Sequence, residues 1–137
     1  MLSEITKPLL GIDNIDFAYV YGSYAKGQQK EHSDLDIAVY VNEPDPSLDL
    51  TRFAMSLKLM LEDIAREEVH LVMLNIAPPL LKQQVLKYGT LVFERNRQNR
   101  IAFIKKSYFE FFQYQNMLNK IIEIKKKKIR EKIAHDR

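Results

Sequence analysis

The sequence contains no cysteine. A disulfide framework and a thiolate zinc site are therefore both excluded, and the composition suits a reducing compartment. The chain has no run near the roughly 18 consecutive apolar residues that a membrane-spanning helix needs, and its first residues do not resemble a secretory signal peptide. Its three histidines show no zinc-binding spacing. We therefore expect a cytoplasmic protein that makes no contact with a membrane.

The chain has 137 residues, of which 46% are hydrophobic and 28% are charged, as is typical of one globular domain. We expect residues 1–137 to form a single domain with its core at about 15–94. The net charge of +3 hides an asymmetry, because residues 1–94 carry 8 Lys/Arg and 14 Asp/Glu whereas residues 95–137 carry 13 and 4. An acidic body joined to a basic C-terminal segment suggests two surfaces with different partners.

The spacing of apolar residues predicts an α/β (α+β) fold, in which helices cover a small mixed β-sheet. Strands are expected at residues 16–21, 35–41, 69–74 and 90–94. Helices are expected at residues 48–66, at 78–88 and from about 97 to 130. A shorter helix would begin at Ser3, and Pro8 disfavours its second half. The strands that flank the polar segment 22–33 should be antiparallel, because that segment contains no crossover helix.

The predicted C-terminal helix is rich in aromatic residues and lysines. Its predicted apolar side consists of Ile101, Ile104, Tyr108, Phe111, Leu118 and Ile122. The aromatic residues between positions 108 and 114 cannot all face one core, so core packing and a partner interface both remain open. The lysine run 125–128 fits a solvated helix end, and contact with an acidic partner or nucleic acid is the alternative. No glycine–aromatic RNA-binding pattern is present, so nucleic acid is not expected, and His135 is expected in a disordered tail.

One motif carries a chemical signal: Gly22-Ser23, then ten residues, then Asp34-Leu35-Asp36. Alternate residues of a strand face the same side, so Asp34 and Asp36 would lie about 7 Å apart on one face. Two carboxylates this close repel each other unless a cation lies between them. Mg²⁺ fits, because it prefers a few carboxylates together with phosphate oxygens and water.

The other half of the motif would hold phosphate. Gly22 permits a tight backbone turn at the end of an apolar strand. Ser23 then offers a hydroxyl and a backbone N–H to a phosphate, and Lys26 could neutralise phosphate charge. A Gly-Ser pair or an Asp-x-Asp pair alone would be explained by a solvated loop or strand edge. Their combination predicts a site for a nucleoside triphosphate and Mg²⁺.

The stretches GSYAKG and SDLDIAV resemble the nucleotidyltransferase motif of the polymerase-β-like superfamily, written Gly-Ser-x₁₀-Asp-x-Asp. The short chain and the order of its elements resemble the minimal nucleotidyltransferases, which are commonly the antitoxins of HEPN toxin–antitoxin pairs. The resemblance implies a nucleotidyltransferase fold with a long C-terminal helix, and Mg²⁺ held by Asp34 and Asp36. It implies that the nucleotide is bound by Gly22, Ser23, Lys26 and Ser33.

The sequence departs from the family pattern at one position. The family usually has a third carboxylate on the next core strand, and here the matching stretch is Val69-His70-Leu71-Val72, so His70 occupies its place. A neutral histidine can bind a metal or act as a base, but it provides no negative charge. Glu68 would share the strand face of His70 and could supply the missing carboxylate. The catalytic set implied by the resemblance is Asp34, Asp36, Glu68 and His70.

The resemblance implies a protein adenylyltransferase that moves AMP from ATP to a tyrosine of a HEPN-type toxin within a hetero-oligomer. Two alternatives remain open. In the first, His70 marks a weak or inactive site, and the chain neutralises its partner by contact alone. In the second, the chain modifies a small molecule, as antibiotic nucleotidyltransferases do. The second is disfavoured because little of the chain lies outside the core to build an acceptor domain.

Overall fold

The computed structural model of the chain describes residues 2–22, 34–42 and 49–136, with side chains from residue 4 onward. Within these ranges the chain forms four helices and four strands. Their bounds are α1 (Leu2–Leu10), β1 (Ile15–Tyr21), β2 (Leu35–Val41), α2 (Leu50–Ala65), β3 (Val69–Met73), α3 (Pro79–Tyr88), β4 (Thr90–Glu94) and α4 (Arg97–His135). No helix in the described ranges is both long enough and apolar enough to cross a bilayer.

The four strands form one mixed sheet in the order β3-β2-β1-β4. β1 pairs with β2 and with β4 in antiparallel fashion, whereas β2 and β3 are parallel. The parallel pair requires a crossover, and α2 provides it. The predicted mixed sheet and the predicted antiparallel pair around segment 22–33 are therefore confirmed.

Helices cover both faces of the sheet. On one face, α1 and α2 bury an aliphatic cluster that includes Leu9, Ile37 and Leu61. On the other face, α3 and α4 pack against an aromatic cluster that includes Phe17 and Phe103. Residues of β2 alternate between these two faces, as they must in a strand. Hydrophobic burial on two faces explains why this short chain holds a stable sheet.

The boundaries of the middle helices follow from local chemistry. Asp49 caps α2, accepting a hydrogen bond from the backbone N–H of Thr51 at 3.0 Å, so the helix begins at Leu50 rather than at residue 48. Proline opens α3, and Gly89 ends it, as predicted. Gly89 has a φ of −78°, so it is not a left-handed cap. A side chain there would instead collide with the carbonyl oxygen of Val85.

Three predictions about the helices are wrong. Ser3 lies inside α1 rather than capping it, and α1 continues through Pro8 to Leu10. α4 extends to His135, so this residue belongs to the helix and not to a disordered tail. The buried side of α4 is centred on Phe103 and Ser107, whereas Tyr108 is 47% exposed. The predicted face was rotated, because most of the large apolar residues of α4 are exposed and do not pack on this domain.

Candidate active site

The site lies where three neighbouring strands bring polar residues side by side. Asp36 of β2 pairs with His70 of β3 on one side and with Tyr21 of β1 on the other. Leu35 and Ile37, the neighbours of Asp36 in sequence, are fully buried on the opposite face. The carboxylate of Asp36 therefore lies on the sheet face that α3 and α4 cover, and its side chain is 22% exposed.

The imidazole ring of His70 lies between the two aspartates. Its Nδ1 atom is 3.2 Å from Oδ1 of Asp36, and its Nε2 atom is 3.2 Å from Oδ2 of Asp34. A ring that carries protons on both nitrogens can donate to both carboxylates at once. The ring therefore lies within reach of both carboxylates, in the space where the sequence predicts a cation.

Glu68 completes an acidic cluster at the start of β3. Its Oε1 atom is 3.6 Å from Nε2 of His70. One ligand atom from each of Asp34, Glu68 and His70 lies within 4.8 Å of the others. Two carboxylates and an imidazole suit a divalent cation, with Asp36 adjacent through His70. The donor set therefore fits a divalent cation, and the predicted sharing of that cation with Asp36 stays a prediction.

Burial and charge change the acidity of two groups at this site. Burial raises the pKa of the Asp36 carboxyl, His70 opposes that shift, and the nearby charge of Asp34 adds to it. Burial and the charge of Asp36 raise the pKa of Tyr21 to about 12. The Tyr21 hydroxyl therefore stays protonated at neutral pH and can donate a hydrogen bond. Apart from its position before Gly22, nothing in the sequence marks Tyr21 as a site residue.

Gly22 lies against Asp36 at the end of β1. Its backbone has a φ of +70°, a conformation that side chains disfavour. A Cβ atom there would lie 3.2 Å from Cγ of Asp36 and closer still to Oδ2. The glycine is therefore required both by its backbone conformation and by the carboxylate beside it.

The structure brings together Gly22, Asp34, Asp36, Glu68 and His70, all named from the sequence. Ser23, Lys26 and Ser33 lie outside the described residues, so their predicted contacts with phosphate stay predictions. The position of Glu68 beside Asp34 follows from the parallel register, in which the backbone N–H of Leu35 donates to the carbonyl of Glu68 at 3.0 Å.

The sequence of this chain matches the profile of a known protein family. The sequence profile described as "Polymerase beta, Nucleotidyltransferase" matches residues 3–98. The chain belongs to this family. Nucleotidyltransferases of this kind generally use a divalent metal, and the acidic cluster offers a group that fits one.

Two relatives of this nucleotidyltransferase extend the comparison. A candidate protein adenylyltransferase of Methanocaldococcus jannaschii is 40% identical over 79 residues, which are 58% of this chain and 81% of the relative. The protein adenylyltransferase MntA of Shewanella oneidensis is 29% identical over 94 residues, which are 69% of this chain and 65% of MntA. The match thus spans just under two thirds of the Shewanella protein.

Solved structures share the fold over nearly the whole nucleotidyltransferase chain. A chain in the crystal structure of a toxin–antitoxin complex with AMP-PNP has a TM-score of 0.77 and 29% identity, with 89% of this chain and 95% of that chain covered. A chain in the MntA–HepT toxin–antitoxin complex has a TM-score of 0.71 and 26% identity, with coverage of 89% and 93%. The uncovered tenth of this chain is shorter than α4, so at least part of the long C-terminal helix lies within both matches.

Proposed function

We propose that this chain is an antitoxin that transfers AMP from ATP, with Mg²⁺, to a tyrosine of a HEPN-type toxin. The observation that carries the proposal is the cluster of Asp34, Asp36, Glu68 and His70 beside Gly22, at one end of a nucleotidyltransferase sheet. The proposal includes a hetero-oligomer of the two proteins. Since ATP is a cytoplasmic metabolite, it also includes a cytoplasmic location.

The relatives support the acceptor class. Both curated relatives carry the description protein adenylyltransferase, one of them as a candidate. Similar chains occur in toxin–antitoxin complexes, and one complex was crystallised with an ATP analogue. If this chain also transfers AMP to a protein partner, its acidic cluster is the site that holds the metal. The exposure of that cluster then allows the partner to approach it.

The proposed reaction breaks the α–β phosphoanhydride bond of ATP and forms a phosphate ester bond to the acceptor. The phenolic oxygen of the acceptor forms a bond to the α-phosphorus of ATP, the bond to the bridging oxygen breaks, and pyrophosphate leaves with the electron pair. Asp34 and Asp36 would hold the divalent cation, with Glu68 and His70 as further donors. A cation bound there neutralises the charge that grows on the phosphoryl oxygens.

The phenolic proton needs an acceptor in the protein. Glu68 is the most exposed carboxylate of the cluster, with a side chain that is 60% accessible, so an incoming protein can reach it. His70 is 50% exposed and offers a second base when its ring is neutral. In this proposal Gly22, Ser23, Lys26 and Ser33 bind the triphosphate, as the motif predicts.

Isotope transfer tests the proposal directly. The purified chain is incubated with its HEPN-type partner, MgCl₂ and ATP labelled at either the α- or the γ-phosphorus. We expect label in the partner only from α-labelled ATP, and none with Asp36→Asn. Label from the γ-phosphorus would identify a kinase instead. Absence of both labels, with a partner that is nevertheless neutralised, would replace the proposal with the second candidate.

The second candidate is a module that neutralises its partner by contact, without turnover. The position of His70 favours it, because the ring already occupies the space between the carboxylates where a cation would bind. In that case Asp34→Asn and Asp36→Asn would neutralise the partner as well as the unchanged protein does.

A further inference from the structure

The C-terminal part of α4 projects away from the rest of the domain. We call residues 115–136 the basic arm. Tyr114 is half-buried, and every described side chain after it is exposed. Because an α-helix rises about 1.5 Å per residue, the arm extends roughly 30 Å beyond Tyr114. A helix of this length without a packed face needs an explanation.

The arm carries an apolar stripe on the side of α4 that packs against the body. Side chains three, four and seven residues apart share one side of a helix, so the side that buries Phe103 and Ser107 continues along the arm. The stripe consists of Leu118, Ile122, Ile129 and Ile133, which are 40–58% exposed. Lys125 and Lys126 interrupt the stripe between Ile122 and Ile129, and exposed apolar surface on both sides of this break is of the kind that marks a binding site.

The arm is poorly stabilised as an isolated helix. Lys125 and Lys128 lie three residues apart, and Lys128 and Lys132 lie four apart, so like charges are neighbours on the helix surface. Most helix stability in proteins comes from packing an apolar face, and the arm packs none of its side chains on the domain. A partner that covers the stripe would supply that packing.

Charge identifies the kind of partner. The arm carries seven Lys/Arg and three Asp/Glu. Two arms packed against each other would bring like charges together, which disfavours a second copy of this chain. An apolar groove bordered by carboxylates matches both the stripe and its lysines.

We infer that the basic arm is the docking element for the toxin, with the stripe seated in an acidic, apolar groove of that partner. The inference rests on the proposed function for the identity of the partner. The toxin–antitoxin complex with AMP-PNP contains a chain that matches 89% of this one. The basic arm is longer than the 11% of this chain that the match leaves uncovered. Part of the arm therefore has a structural counterpart in a chain of that toxin–antitoxin complex.

A matched pair of isoleucine variants tests the inference. Ile122 lies in the stripe and Ile124 lies on the far side of the helix, because two residues correspond to about 200° of rotation. Both side chains are exposed, at 40% and 56%. We expect Ile122→Asp to weaken binding of the HEPN-type partner by at least about tenfold, and Ile124→Asp by less than about threefold. Circular dichroism of both variants checks that the helix content of the free chain is equal.

Binding is measured by calorimetry in an Asp36→Asn background, so that transfer of AMP does not contribute. Equal affinities for Ile122→Asp and Ile124→Asp would overturn the docking inference. The same result would leave the proposed function intact, provided that the chain with native Asp36 still transfers AMP. Conversely, a loss of affinity confined to Ile122→Asp supports docking of the toxin on the basic arm, even if no AMP transfer is found.

A separate experiment tests whether the stripe is covered by the toxin or by a second copy of this chain. Sedimentation of the chain alone should show a monomer whose mass does not change with Ile122→Asp. A dimer that this substitution dissolves would assign the stripe to a second copy and would overturn the inference. Replacing Lys125–Lys128 by glutamine should flatten the salt dependence of toxin binding, because fewer charges are paired with the partner. An unchanged salt dependence would overturn the acidic character of the groove.

Discussion

Asp36 lies so close to Gly22 that no side chain fits between them. The backbone of Gly22 has a φ of +70°, and a Cβ atom there would overlap the carboxylate. The end of β1 is thereby fixed against the acidic residue of β2 that we assign to the metal. This contact joins the two halves of the sequence motif in space.

Gly22→Ala should therefore destabilise the protein and displace Asp36. A left-handed backbone costs about 1–2 kcal/mol for a residue with a side chain, and the collision adds to it. Thermal unfolding should show a lower Tm, and Mg²⁺ should bind more weakly. Gly11→Ala is the control, because a Cβ there meets its nearest atom at an ordinary 3.4 Å. Equal Tm values for the two variants would contradict the proposed role of Gly22.

His70→Asp should strengthen the response of the protein to Mg²⁺. The substitution removes the ring that lies between Asp34 and Asp36 and adds the carboxylate that the family usually has. Without metal, the additional negative charge should lower the Tm. With metal, the Tm should rise by more than it does in the unchanged protein, because ligand binding stabilises the folded state. A metal-induced shift no larger than that of the unchanged protein would show that His70 does not weaken metal binding.

Asp36→Asn should raise stability at neutral pH in the absence of metal. The pKa of folded Asp36 lies above its ordinary value, so ionisation of this group costs the folded state more than the unfolded state. The stability contributed by the protonated carboxyl is complete at acid pH and is lost as the pH rises through the folded pKa. The advantage of the variant should thus be absent near pH 3 and grow towards pH 7.

Urea unfolding with EDTA, repeated across this range, measures that difference. Asp13→Asn, at an exposed position of the α1–β1 turn, controls for the general loss of a negative charge. An advantage of Asp36→Asn that is largest at acid pH would contradict the direction of the pKa shift.

Glu110→Ala should destabilise the packing of α3 against α4. The ammonium group of Lys82 lies 2.9 Å from Oε2 of Glu110, and the Lys82 side chain is only 11% exposed. Removing the partner of a buried charge is strongly unfavourable, and since Glu110 is 31% exposed we expect a cost of about 2–3 kcal/mol. Glu123→Ala, at an exposed position of the same helix, should cost almost nothing. Chemical unfolding of both variants compares them, and equal stabilities would disprove the structural role of the pair.

The sequence predicted the sheet well because its strands are short apolar segments bounded by polar or proline-containing ones. The antiparallel pair followed from the absence of a crossover helix between β1 and β2, and the structure confirms it. The face of α4 was predicted wrongly, because most of its large apolar residues are exposed, so their spacing does not reveal which side packs internally. Tyr108 was assigned to the packed side and is exposed, whereas Ser107 is buried.

The candidate site was also predictable only in part from the sequence. Proximity of Asp34, Asp36, Glu68 and His70 could be anticipated from strand alternation and the family motif. The bridging position of the His70 ring could not, since it depends on the parallel register between β2 and β3. Nor could the position of Tyr21 beside Asp36, which depends on the pairing of these two residues across the sheet.

Titration of ATP into the protein, with and without Mg²⁺, tests the central claim most directly. If a divalent cation held by Asp34 and Asp36 joins the protein to the triphosphate, ATP should bind with Mg²⁺ and lose most of its affinity in EDTA. The double variant Asp34→Asn, Asp36→Asn should fold but show no Mg²⁺-dependent binding. Equal ATP affinity with Mg²⁺ and with EDTA, or undiminished binding by the double variant, would contradict the account.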